Sequence, residues 1–84
     1  VGRSAEEDLR RAIREHIASD PSIRDLFNAI TLQMGPQVML AAKVRMAPGL
    51  PVEEAARCIN RLERELKARF PEIRWCFIEP DVED

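Results

Sequence analysis

Eighty-four residues, 45% apolar and 33% charged with only three glycines, describe one small domain, too short for two cores and too well patterned for disorder, which excludes most enzymes. The longest apolar run, Val38-Met39-Leu40-Ala41-Ala42, stops at Lys43, far short of the roughly 20 residues needed to cross a bilayer. Thirteen basic against fifteen acidic side chains leave a net charge of −2, which offers no global field for nucleic acid or anionic lipid.

Two Cys, one His and no signal peptide point to a reducing compartment. A single core of this size supplies a margin of only about 3–5 kcal/mol, which raises the expectation of a partner subunit. The chain opens at Val1 without an initiator Met, and reads as a fragment of something longer.

The first helix is expected from Ser4, where Ser4-Ala5-Glu6-Glu7 is a capping-box pattern. Ala5, Leu9, Ala12, Ile13 and Ile17 recur at three- and four-residue steps, with Glu6/Arg10, Glu7/Arg11 and Arg10/Arg14 on the wet side. Asp20-Pro21 ends it, because the proline ring disfavours helical geometry at the residue before it. A strand follows from about Ile23 to Met34, and Gly35-Pro36-Gln37 supplies a turn. Val38 to Met46 is the clearest strand: Val38, Leu40, Ala42, Val44 and Met46 share one face, and Lys43 and Arg45 mark the other. The two strands predict an antiparallel hairpin.

Pro51 is placed as the first residue of the second helix, where its missing N–H costs nothing. Val52, Ala55, Ala56, Ile59, Leu62, Leu66 and Phe70 make an apolar stripe over about five turns, with Glu53/Arg57, Glu63/Lys67 and Glu65/Arg69 as supporting ion pairs. A last strand, Ile73 to Ile78, is mostly apolar on both faces, which predicts cover on both sides by helices, a partner or a neighbouring segment of a longer chain, and Pro80 closes it. The expected fold is α+β: an α-β-β-α-β sandwich with two helices on one face of a mostly antiparallel three-stranded sheet, occupying residues 1–84 as a single domain. Its opposite face would be bare, and a second copy is the obvious cover.

Over nearly the whole chain the residues resemble the cytoplasmic C-terminal domain of cation diffusion facilitator transporters. The resemblance rests on Ala18-Ser19-Asp20-Pro21-Ser22-Ile23, Thr31-Leu32-Gln33-Met34-Gly35-Pro36, Glu53-Glu54-Ala55, Arg69-Phe70-Pro71-Glu72-Ile73 and Ile78-Glu79-Pro80, in that order and spacing. Val1-Gly2-Arg3-Ser4 is similar to the segment that leaves the last membrane helix. The resemblance implies a ferredoxin-like domain that dimerises on the cytoplasmic face of the membrane, beneath its own six-helix transmembrane domain. In many members that domain binds divalent cations. It also implies ligand positions that this sequence fills otherwise: Phe27-Asn28 stands where many members have a His-Asp pair, Phe77 where they have a His, and a further family His falls at Ala56 or Arg57. Phenylalanine cannot ligate a cation and Asn is a weak neutral donor, so the usual site is expected to be absent or rebuilt.

His16, Cys58, Cys76, Glu79 and Asp81 remain as candidate ligands for a weakly held divalent cation such as zinc. Each has a plainer reading. His16 suits the surface near a helix C-terminus, the cysteines suit a core or a disulfide between helix and strand, and Glu79, Asp81, Glu83 and Asp84 suit a solvated tail. Trp75 and Phe77 share a strand face opposite Cys76 and Ile78, as core, ligand platform or interface anchors. The interface role is favoured, with Phe27 beside them. Arg57, Arg61 and Arg64 form a stripe neutralised by Glu53, Glu54, Glu63 and Glu65, a salt-bridged face and not a phosphate track. No nucleophile and base pair, phosphate loop or His-Glu-x-x-His motif occurs, so catalysis is not expected. The expectation is thus a dimerising regulatory domain of a proton-coupled divalent-cation exporter, without nucleic acid as a partner. The alternative is a stand-alone small-molecule-sensing or protein-interaction domain of the same type.

Overall fold

The computed structural model describes residues 5–84, in which the elements run α1 (Ala5–Ala18), β1 (Ile23–Met34), β2 (Gln37–Met46), α2 (Val52–Arg69) and β3 (Ile73–Pro80). The expected cap at Ser4 and the Val1–Ser4 segment lie outside the described residues. β1 and β2 form the antiparallel hairpin, with Ala29 opposite Ala42 and Met34 opposite Gln37. Its two-residue turn begins at Gly35, whose φ of 64° is a left-handed value that glycine adopts without steric penalty.

β3 lies on the other side of β2 and runs parallel to it, giving the order β1-β2-β3. The sheet is therefore mixed, one pairing of each kind, and not mostly antiparallel. The physical reason is in the connection: an 18-residue helix between β2 and β3 is long enough to carry the chain back to the starting end.

Both helices cover one face. Period-two alternation sends Val38, Leu40, Ala42 and Val44 of β2 inward, where Cys76 and Ile78 of β3 join them. All of these but Val38 meet Ile13 and Ile17 of α1 and Ile59, Leu62 and Leu66 of α2 in one cluster. Ile13, Ile17, Leu40, Val44, Leu62 and Leu66 expose nothing, and each contributes about 1.5–3 kcal/mol by burial.

Several local expectations are corrected. Pro51 occupies the cap position before α2, with ψ of 153°, and Val52 is the first helical residue. The α2 stripe is buried only from Ile59 onward: Val52 is 87% exposed and Ala56 is exposed as well, because the first turns of α2 overhang the ends of β2 and β3. Glu53 pairs with Arg57 as expected, at 3.8 Å. Glu65, however, accepts from Arg61, and Glu63 accepts the amide of Ile78, which fastens α2 to β3. Arg11 turns to Asp8 at 2.6 Å. Among the described residues the chain covers β3 on one side only: Ile73, Cys76 and Ile78 are buried, while Phe77 is 59% exposed, which leaves any cover of the second side to a partner or a neighbouring segment. Among the described residues, no helix is long and apolar enough to cross a membrane.

Candidate functional site

The bare face of the sheet is built by the residues that alternate with the core. Register places Leu32, Met39 and Trp75 in one row across the three strands and Ile30, Ala41 and Phe77 in the next. Rows further along are Asn28, Lys43 and Glu79, then Asp25 and Arg45. The face is thus divided along the strands into an apolar end and a charged end. At the apolar end Ile30, Leu32, Met34 and Phe77 are each about half exposed, an apolar surface that no helix among the described residues reaches.

The charged end is laced with ion pairs, three carboxylates against two cations. Lys43 Nζ lies 3.4 Å from an Asp81 carboxylate oxygen and 3.9 Å from a Glu79 oxygen. Arg45 reaches Asp25 at 3.6 Å, donates to the carbonyl of Val82 at 2.6 Å and lies over the Phe27 ring at 5.4 Å. Its Nε is buried without a partner. Phe27 is the extra residue of a bulge between Leu26 and Asn28, and the bulge turns its ring toward Arg45. The Asp81 amide bonds the carbonyl of Val44, so the C-terminal segment is strapped along β2 and is not a free solvated tail up to Val82. The bond from the Val82 amide, and then Lys43, holds the Asp81 carboxyl below its usual range.

Of the positions where the resemblance implies metal ligands, two converge, while Phe27 and Ala56 lie elsewhere. Asn28 and Phe77 line one shallow hollow with Ile30, Ala41, Lys43 and Glu79. Their chemistry does not fit a divalent cation: the Phe77 ring has no lone pair to give, the Asn28 amide is a weak donor, and the adjacent carboxylates already face an ammonium.

The other candidate ligands are scattered. His16 is not a free surface residue: its side chain is 19% exposed and links α1 to α2. Arg69 Nη1 lies 3.0 Å from Nδ1, and a guanidinium only donates, so Nδ1 accepts and the proton sits on Nε2, 3.2 Å from Glu65. The imidazole edge also meets the Phe70 ring, centroid to centroid 6.5 Å. Cys58 is half-buried on α2, Cys76 is buried on the inner sheet face, and both are free thiols rather than a disulfide. Burial, then the Glu63 charge, pushes the Cys76 thiol up to about 11, so at neutral pH it is protonated and a poor ligand. Among the described residues, no group of three or more His, Cys, Asp or Glu side chains could hold a metal ion.

Asp20 and Arg61 make a further arrangement that the sequence does not announce. Asp20 does more than end α1: its carboxylate accepts from the Ser22 amide and hydroxyl at 3.0 and 2.6 Å. It is also gripped by both terminal nitrogens of Arg61 at 2.8 and 3.0 Å. The Arg61 bonds, ahead of those from Ser22, hold the Asp20 carboxyl well below the ordinary range, and Arg61 is raised in turn. Asp20-Pro21-Ser22 carries a local signal, an acidic side chain two residues before a hydroxyl in a turn. Arg61 lies 41 residues away and carries none.

Comparison with known proteins agrees with this architecture. Residues 5–82 match the family described as "Cation efflux protein, cytoplasmic domain", named ZT_dimer. The cation-efflux pump FieF of Cronobacter sakazakii (strain ATCC BAA-894) is 28% identical over 71 residues, covering 84% of this chain and 24% of the pump. This chain therefore spans about a quarter of that relative's length. Among solved structures, the C-terminal domain (CTD) of MamM superposes with a TM-score of 0.82 at 14% identity, covering 90% of this chain and 96% of that one. A substituted MamM CTD in a cadmium form gives 0.85 at 15% identity, over 96% and 100%. A substituted nickel form gives 0.82 at 14%, over 93% and 99%. At these identities the structures establish the shared fold. Matched over residues 5–82, the chain belongs to the family of cation efflux protein cytoplasmic domains.

Proposed function

We propose that this chain is the non-catalytic dimerisation and regulatory domain of a proton-coupled divalent-cation exporter, placed at the cytoplasmic face of the membrane beneath its own transmembrane domain. Transport chemistry belongs to that membrane domain. This domain holds two transport units together, and any ligand that favours one geometry of the pair shifts the population of transport states.

The observation that carries the reading is the apolar end of the open sheet face, where Ile30, Leu32 and Phe77, with the half-buried Trp75 beside them, form two rows that folding leaves largely uncovered. A second copy presents the same rows, and a self-complementary patch is what a two-fold dimer requires. The family's name and its FieF relative support the transporter context. The test is the mass of the chain and of the Trp75→Ala/Phe77→Ala double variant by light scattering. The expected result is a dimer for the parent chain and a monomer for the variant, and an unchanged mass would overturn the proposed interface.

A further inference from the structure

Glu79 at the end of β3 and Asp81 just beyond it place two like charges at the charged end of the sheet face, an arrangement that needs a cation. Lys43 supplies one. Register holds it in the central strand, between Asn28 of β1 and Glu79 of β3. Its ammonium lies 3.4 Å from Asp81 and 3.9 Å from Glu79. The residues around it in the hollow, Asn28, Ile30, Ala41 and Phe77, offer one weak oxygen donor and hydrocarbon, a poor lining for a bound metal.

We infer that Lys43 is the built-in counter-cation of this face, so that two copies join through it without a divalent metal, with Lys43 itself doing the neutralising. The inference rests on the reading that a second copy covers the face. It also follows from how the face is sorted. Two sheet faces can meet about a two-fold axis parallel to the strands or one across them. Of these, the parallel axis is the one that covers the whole face while keeping apolar rows on apolar rows, β1 of one copy over β3 of the other; an axis across the strands through the apolar end would leave the charged end overhanging. The same rotation brings the two central strands together, and with them the two Lys43 side chains and their carboxylates.

Each charged end carries Asp25, Glu79 and Asp81 against Lys43 and Arg45, one net negative charge per copy. Removing Lys43 doubles that charge at a seam where water is being excluded. Like charges facing across an interface oppose association, and salt screens them over about 10 Å at 0.1 M.

The test is sedimentation of the 84-residue chain, of Lys43→Gln and of Lys43→Arg, each at low and high salt, with EDTA and with zinc. Lys43 is at the surface, so circular dichroism should report the same fold for all three. The expected result is a parent dimer of equal affinity in EDTA and zinc. Lys43→Gln should weaken it about tenfold at low salt and less at high salt, and Lys43→Arg should restore it. A Lys43→Gln variant that pairs as tightly as the parent at low salt would overturn the inference, and so would a parent chain that pairs only with zinc. A parent chain that stays monomeric with and without zinc would instead overturn the dimer reading beneath it.

Discussion

The two faces of the sheet are made by the same strands, one residue apart, and they have opposite fates. Leu40, Ala42 and Val44 of β2 point inward and vanish under α1 and α2, whereas Met39, Ala41 and Lys43 point outward. The inner face is uniformly apolar and filled by the chain itself. The outer face is sorted into an apolar end and an ion-paired end, and nothing among the described residues fills it. Folding accounts for the first. The second is what association accounts for, because a half-exposed Phe77 or Ile30 realises only part of its burial energy in the monomer.

The largest expected effect tests the inner face. Leu62 is fully buried where α2 meets the sheet, and Leu62→Ala removes its transfer energy and leaves a cavity. The loss should be about 3–4 kcal/mol by denaturant midpoint, most of the margin of a domain this small. The outer-face substitutions should show the reverse pattern, changing mass far more than midpoint. A loss below about 1 kcal/mol for Leu62→Ala would mean that the helices do not carry the fold, and the contrast between the faces would fail.

The seam that locks the helical layer over the inner face comes next. Asp20 is 7% exposed and grips Arg61 through two bonds, so Asp20→Asn, which keeps the local turn but removes the charge, should cost about 2 kcal/mol. The pH dependence has a definite sign. Because the folded carboxyl is depressed below its ordinary 3.8, its stabilisation is complete above that value and is lost as pH falls below it. Thermal melts of parent and variant should therefore be separated by a constant interval from pH 5 to 7. They should begin to converge below about pH 4, where the unfolded parent's carboxyl takes up a proton that the folded one still refuses. An interval that persists undiminished to pH 2.5 would show that the charge is not what holds the seam.

The elements and the inner face were legible because their signals are local. Alternation in Val38–Met46 and the three-to-four spacing in Ile59–Phe70 are properties of neighbouring residues, and so was the pairing of Trp75 with Phe77 on the far side of Cys76. What escaped lies between distant segments. The Asp20–Arg61 grip, the His16 bridge between Glu65 and Arg69 and the Lys43 clasp on Asp81 each join residues about 40 to 50 positions apart. Nothing at Lys43 distinguishes it from any solvated lysine until β3 lies parallel beside β2. The stripe on α2 was overread for the opposite reason: Val52 and Ala56 have the right spacing, but periodicity does not say where the partner sheet ends.

The smallest effect is the sharpest separation of the two faces. Ile30 sits 55% exposed in the second apolar row, opposite Ala41 and one strand removed from Phe77. Ile30→Thr keeps a β-branched side chain and so preserves strand preference, while replacing a methylene-rich surface with a hydroxyl that water satisfies. In dilute solution, where the chain is monomeric, the change should move the denaturant midpoint by less than about 0.5 kcal/mol. At concentrations where copies pair, the parent should gain stability with concentration and the variant should gain less, because only association covers this residue. Equal concentration dependence in the two proteins would mean that Ile30 stays wet in the pair, and the interface would have to be drawn closer to Trp75.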